Sequence, residues 1–95
     1  MSEIVCIAEF ISKEGQQNEL QAQLQSLIAP TRAESGCLSY ALHRAVDCDK
    51  TYTMIERFKS KADFELHGQQ DYLQRFIQIA PSLTDSIKVT LSEAV

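Results

Sequence analysis

A chain of 95 residues that is 44% hydrophobic and 23% charged, with three Gly and two Pro, has the size and make-up of one globular domain and is neither collagen-like, low-complexity nor disordered. Nine Lys and Arg against 13 Asp and Glu leave a formal net charge of −4, so neither a nucleic acid nor a membrane is expected as a partner. No apolar run is long enough to span a bilayer, and Met1-Ser2-Glu3 opens acidic where a secretory signal opens basic, so a cytoplasmic protein is expected. Cys6, Cys37 and Cys48 are an odd count without C-x-x-C spacing, and are read as reduced thiols rather than as a disulfide frame or a zinc site.

Glu3 to Ile11 is a β-rich run in which both alternating sets, Ile4/Cys6/Ala8/Phe10 and Val5/Ile7/Ile11, are mostly apolar, which predicts a strand covered on both faces. Ser12 to Gly15 breaks it. Leu20, Leu24, Leu27 and Ile28 then recur at helical spacing among Gln and Glu, predicting an amphipathic helix of about four turns that ends or kinks at Ala29, before Pro30. Thr31 to Ser35 should form a short helical turn leading to Gly36. Cys37 to Ala45 alternates Leu38/Tyr40/Leu42 against Cys37/Ser39/Ala41/His43, and Thr51 to Phe58 alternates Tyr52/Met54/Glu56/Phe58 against Thr51/Thr53/Ile55/Arg57; with the polar turn 46–50 between them they predict a hairpin.

Ser60-Lys61-Ala62-Asp63 fits a capping box that starts a short helix running to about His67, where Gly68 interrupts it. Tyr72, Leu73, Phe76, Ile77 and Ala80 supply the stripe of a further helix that stops near Pro81. Ile87 to Ser92 reads as a last, alternating strand. The order β-α-β-β-α-β predicts an α+β, ferredoxin-like antiparallel sheet with its helices on one face, over the single unit 1–95. Its other face would then lack a cover, and an apolar sheet face left in water is unusual for a monomer. A homodimer through the sheet face is therefore expected, with a ligand cavity between sheet and helices.

Several motifs in fixed order carry a family resemblance: the opening strand with Gly15 just past it, Thr31-Arg32-Ala33-Glu34-Ser35-Gly36-Cys37-Leu38-Ser39-Tyr40, Leu42-His43-Arg44, Ile55-Glu56-Arg57-Phe58 and Phe64-Glu65-Leu66-His67. Together they resemble the antibiotic-biosynthesis-monooxygenase domain family, in particular its small stand-alone bacterial members similar to quinol monooxygenases. The resemblance implies a dimeric α+β barrel that oxygenates a small quinol or polyphenol with O₂, without metal, flavin or haem. Glu34-Ser35-Gly36-Cys37 stands where the family usually has Glu-Pro-Gly-Cys. The third strand ends Glu56-Arg57-Phe58 where Glu-x-Trp is frequent, and the chain has no Trp. Haem-degrading relatives depend on a Trp and an Asn, and Ala8 and His67 occupy the positions where those would be sought, so haem degradation is not expected. A non-catalytic dimeric binding module and an isomerase of the same fold are the competing readings.

No G-x-G-x-x-G, Walker loop, H-E-x-x-H or G-x-S-x-G is present, which leaves two histidines and scattered carboxylates as the acid–base inventory. His67 is expected as general base, because an imidazole titrates nearest the pH at which a phenol must be activated. It equally fits a helix C-terminal residue opposing the dipole. Glu56 is the second catalytic candidate, as orienter of His67; the competing reading is an ion pair with Arg32, Arg44 or Arg57. Substrate contacts are expected from His43 at a strand end, from Tyr52, and from Met54, Phe58, Phe64 and Phe76; these last four belong with Phe10 and Ile77 to an apolar set that is mainly core, of which only two or three should touch a ligand. No metal ligand set is expected, since His43 and His67 lie far apart in the chain.

Overall fold

The computed structural model describes residues 2–95; Met1, the first residue of the acidic opening, lies outside them. Eight elements follow in order: β1 (Ile4–Ser12), α1 (Gln17–Ser26), α2 (Ile28–Arg32), β2 (Cys37–Arg44), β3 (Thr51–Phe58), α3 (Lys61–Gly68), α4 (Asp71–Leu83) and β4 (Thr84–Glu93). The strands form one antiparallel sheet in the order β2-β3-β1-β4. All the helices pack on one face of it, which is the expected ferredoxin-like βαββαβ plan with each helical arm in two pieces.

The central strand explains the plan. Ile4, Cys6, Ala8, Phe10 and Ser12 of β1 are buried on the helix side, whereas Val5 and Ile11 on the opposite side are half-buried and Ile7 is 43% exposed. The expectation of a strand covered on both faces is thus corrected for the single chain: helices cover one face only. Leu20 and Leu24 of α1, wholly buried, meet Phe76, Ala80 and Leu83 of α4 over this sheet, and each such side chain contributes about 1.5–3 kcal/mol by leaving water.

Three local expectations are corrected. Pro30 does not end the first helix: the break comes at Leu27, and Pro30 is the third residue of α2, in the first turn, where its missing N–H has no intrahelical partner to lose. Nor does α4 stop at Pro81; it runs on to Leu83, and Thr84 Oγ1 donates to the Ala80 carbonyl at 2.8 Å, which satisfies one of the orphan carbonyls at that end. In β2 the two faces are reassigned by a bulge. Cys37 pairs with Phe58 while Ser39 pairs with Arg57 and Tyr40 with Glu56. One extra residue shifts the pleat by one, so Cys37, expected opposite Tyr40, joins it on the helix side and Leu38 is left 42% exposed.

The loops that frame the site are pinned by specific chemistry. Gly15 takes a φ of 82° in the turn after β1, a left-handed conformation that favours glycine. At Gly36 a Cβ would collide with the Asp63 side chain. Asp63 belongs to the cap of α3: its backbone N–H donates to Ser60 Oγ at 3.2 Å, as expected of a capping box, but its carboxylate accepts from the Ser60 hydroxyl at 2.9 Å rather than from the Ser60 backbone. The loop before β2 and the start of α3 are thereby held against each other, which fixes Glu34 relative to His67.

The last strand is longer than the expected Ile87–Ser92 and pairs with nearly the whole of β1. Its register places Ile87, Val89 and Leu91 opposite Phe10, Ala8 and Cys6, on the helix side. They nevertheless stay 43%, 55% and 51% exposed, because the helices stop short of this edge. No helix is long and apolar enough to cross a membrane among the described residues.

Candidate active site

Between α4, the second half of α3 and the β1–β4 half of the sheet lies a cavity of about 480 Å³. Its walls are apolar: Ala8 and Phe10 from β1, Leu27 from the α1–α2 break, Phe64 from α3, Leu73 and Phe76 from α4. Ile87 and Val89 line it from β4, and their exposure means that it is open along that edge of the sheet. Its polar groups are few and gather at one end: Glu56 and Tyr40 from the sheet, Cys6 beside them, and His67 from the last turn of α3. An apolar pocket with a small convergent polar cluster is the usual form of a small-molecule site.

His67 is only 3% exposed. Its ring lies 5.0 Å from that of Phe58 and meets Tyr40 edge-on at 5.5 Å. Its Nδ1 lies 2.9 Å from Glu34 Oε2, while its Nε2 is 3.8 Å from Glu56 Oε1. The first distance is a hydrogen bond and the second is not. The hydroxyl of Tyr72 donates to the same Glu34 oxygen. Since Glu34 Oε2 accepts from Tyr72, its natural partner at His67 is an Nδ1–H, which leaves Nε2 as the ring nitrogen turned to the side of Glu56 and the cavity.

The sequence expectation that Glu56 orients His67 is therefore corrected: Glu34 does so. Glu34 comes from the turn that leads into β2, 33 positions before His67, and no periodicity links the two. The only sequence signal for it was the acidic residue that opens the Glu34-Ser35-Gly36-Cys37 turn. The ion-pair reading of Glu56 is corrected as well. Arg57 pairs with Glu3 at 2.6 Å on the other face, Arg32 donates to the Tyr40 carbonyl at 3.0 Å, and Arg44 turns to Gln21.

Left without a cation, Glu56 behaves as a buried acid. Its pKa is raised to about 7, chiefly by burial and further by the negative field of Glu34, against a partial offset from its hydrogen bond with Cys6. The Cys6 thiol is pushed up to about 12 by burial and by Glu56, so it stays a neutral donor. Burial also raises the phenols of Tyr40 and Tyr72 above their ordinary value, with Glu56 adding to the shift of the first and Glu34 to that of the second. Both remain neutral hydroxyls at any physiological pH.

Of the other expected substrate contacts, Phe64 and Phe76 line the cavity. Phe58 is fully buried and forms the floor on which the His67 ring rests. Met54 and Tyr52 are corrected to core positions: the former is 1% exposed, and the latter sends its hydroxyl to Gln21 Oε1 at 3.0 Å, under α1. His43 is corrected too. It pairs with Thr53 on the face away from the helices and borders a separate shallow depression with Arg44 and Gln21, because strand alternation that turns Leu42 inward turns its neighbour out. Among the described residues, no three His, Cys, Asp or Glu side chains converge as metal ligands.

The chain is similar to proteins and structures that share this architecture. A curated relative from Mycobacterium tuberculosis, named "Putative monooxygenase Rv0793", is 34% identical over 91 residues, covering 95% of this chain and 89% of its own. "Putative monooxygenase YcnE" from Bacillus subtilis is 29% identical over 94 residues, covering 95% and 99%. The crystal structure of protein SO0527 from Shewanella oneidensis superposes with a TM-score of 0.95 at 38% identity, covering 98% of this chain and 91% of that one. The family model described as antibiotic biosynthesis monooxygenase matches residues 3–79, from the strand that floors the cavity to the helix that roofs it, and the chain belongs to that family.

Proposed function

We propose that the protein is a monooxygenase that oxidises a small quinol or polyphenol with O₂ and needs no resident cofactor, with His67 as the base that ionises the substrate. The observation that carries this reading is the buried imidazole at the polar end of an apolar cavity, held through Nδ1 by a carboxylate so that Nε2 is free on the cavity side. Family membership and the names of its relatives support the reaction class.

The chemistry asks for little more. Transfer of the phenolic proton to Nε2 leaves an electron-rich anion, the form able to give electrons to O₂. One oxygen atom enters the ring and the other leaves as water with the two hydrogens of the quinol hydroxyls, giving a hydroxyquinone. Apolar walls exclude bulk water and strengthen the electrostatic interactions at the polar end. Glu34 stabilises the imidazolium that forms, and Tyr40 offers an edge to the substrate ring beside His67. The competing isomerase reading of a phosphorylated substrate lacks a cation: among the described residues, no Lys or Arg lines the cavity.

The acting form is a cytoplasmic homodimer, in which a second copy covers the sheet face where Ile7 and Ile55 are 43% and 38% exposed; burying that face favours association by about 25 cal/mol per Å² of apolar surface. The experiment that tests the function is oxygen uptake by purified protein with a panel of reduced benzo- and naphthoquinones, read against denatured protein, with the mass of the active species taken by light scattering. Protein-dependent uptake of one O₂ per hydroxyquinone formed, by a species of two chains, is the expected result. Uptake no faster than autoxidation across the panel, with binding of the same compounds intact, would replace the enzyme by a binding module.

A further inference from the structure

Glu34 stands between two spaces. On its inner side lies His67, which lines the cavity; on its outer side lies a surface depression of about 360 Å³ between the loop before β2 and the helices α3 and α4, bordered by Glu34 with Gly36, Asp63, Gln70 and Tyr72. His67 does not border the depression, and Glu34 does not line the cavity. Among the described residues, the His67 ring and the Glu34 carboxylate, 2.9 Å apart, form a polar link between them. The Glu34 side chain is 14% exposed and that of His67 is 3% exposed, so the carboxylate reaches water and the imidazole does not.

We propose that Glu34 is the proton outlet of the site: a proton taken by His67 Nε2 is matched by one given from Nδ1–H to Glu34 Oε2, which releases it to water in the outer depression. The assignment rests on His67 being the base. The need for an outlet follows from the cavity itself. A substrate large enough to fill it blocks the open edge along Ile87 and Val89, and the polar groups that share the end of the cavity with His67, namely Tyr40, Cys6 and Glu56, are themselves buried. Glu56, the remaining acid, has a side chain 7% exposed and sits against Cys6 inside the cavity, so a proton passed to it stays in the site. Each step balances: the substrate O–H and Nδ1–H bonds break as an Nε2–H bond and a Glu34 O–H bond form, and Glu34 passes its proton to water; when the reduced oxygen leaves as water it takes the proton from Nε2, and Glu34 returns one from solvent to Nδ1, which restores the starting tautomer. Tyr72, donating to the same carboxylate oxygen, seats the outlet without carrying the proton. Its phenol is held neutral and keeps donating.

The test needs no substrate. In protein labelled with ¹⁵N, the His67 Nδ1–H resonance is identified by its loss in His67→Ala, and its exchange with water is measured in wild type and variants. Glu34→Gln keeps the shape and can accept a hydrogen bond but cannot take up and release a proton, so exchange should slow by about tenfold or more, the worth of a positioned proton carrier. Glu34→Asp and Tyr72→Phe keep a carboxylate and should stay within a few fold of wild type. A merely structural hydrogen bond gives the opposite sign, since the weaker bond to a neutral amide loosens the N–H and speeds exchange. Exchange in Glu34→Gln as fast as wild type or faster overturns the outlet, and so does slowing in Glu34→Asp equal to that in Glu34→Gln, which would trace the effect to packing. The base assignment fails separately: quinol turnover that survives His67→Ala overturns it whatever the exchange rates show.

Discussion

Replacing His67 by Ala is expected to lower quinol turnover by roughly 10² to 10⁴, the usual contribution of a positioned general base, with KM changed far less than kcat. The reason is geometric. The imidazole is the one group at the polar end of the cavity whose free nitrogen is fixed by a partner behind it, Glu34 at 2.9 Å. Glu34→Gln should cost less than His67→Ala, because the base is still present but loses the charge that stabilises its protonated form. The double replacement should cost little more than His67→Ala alone, since the two act as one unit. Steady-state kinetics of the three variants, with circular dichroism to confirm the fold, checks the pattern. Costs that simply multiply would mean that Glu34 acts elsewhere.

Glu56→Gln is expected to stabilise the protein, and to do so more as pH rises. Burial raises the Glu56 carboxyl to about 7 in the folded chain from its ordinary value of 4.5, so between those two values the native state holds a proton that the unfolded state has released. Stability linked to this group is therefore intact below about pH 4.5 and falls as pH rises towards and past 7, by about 3 kcal/mol in all from a shift of this size. A Gln reproduces the neutral acid at every pH and escapes that loss. Thermal melts of the two proteins should nearly coincide at pH 4 and separate by roughly 10 °C or more at pH 8, given that about 1 kcal/mol moves the midpoint of a domain this small by about 4–8 °C. A variant that melts below wild type at pH 8 would reveal a cation on Glu56. The same melts bear on why a destabilising acid is kept: a carboxyl near neutrality facing a substrate cavity, beside an imidazole, is the kind of perturbed group that functional sites hold at a cost in stability.

The sequence by itself determined the element order, the single sheet with helices on one face and the presence of His67 and Glu56 in one neighbourhood. These features rest on local patterns: alternation in β3, the stripe Tyr72/Phe76/Ala80 on α4, the Ser60 cap and the Gly68 stop, each legible within a dozen residues. The family resemblance drew on the same short motifs. What only the tertiary structure decided is everything that depends on register or on contacts between distant segments. A single bulge in β2 moved Cys37 to the helix side and left Leu38 outside it, and alternation alone carries no sign of where an extra residue enters a ladder. Pro30 and Pro81 read as helix ends, yet one sits in a first turn and the other is tolerated near a C-terminus, because a missing N–H costs little where the turn or a capping side chain makes up for it. The partner of His67 was decided the same way. Glu34 and Glu56 are both acids at a distance in sequence, and the close approach that the missing side chain at Gly36 allows, together with the Ser60–Asp63 cap, brings the loop before β2 near enough to α3 for Glu34 to reach Nδ1. Glu56, nearer by sequence and on the expected face, ends 3.8 Å away, since its place is set by its strand position opposite Cys6, whereas the ring of His67 is turned by the helix that carries it.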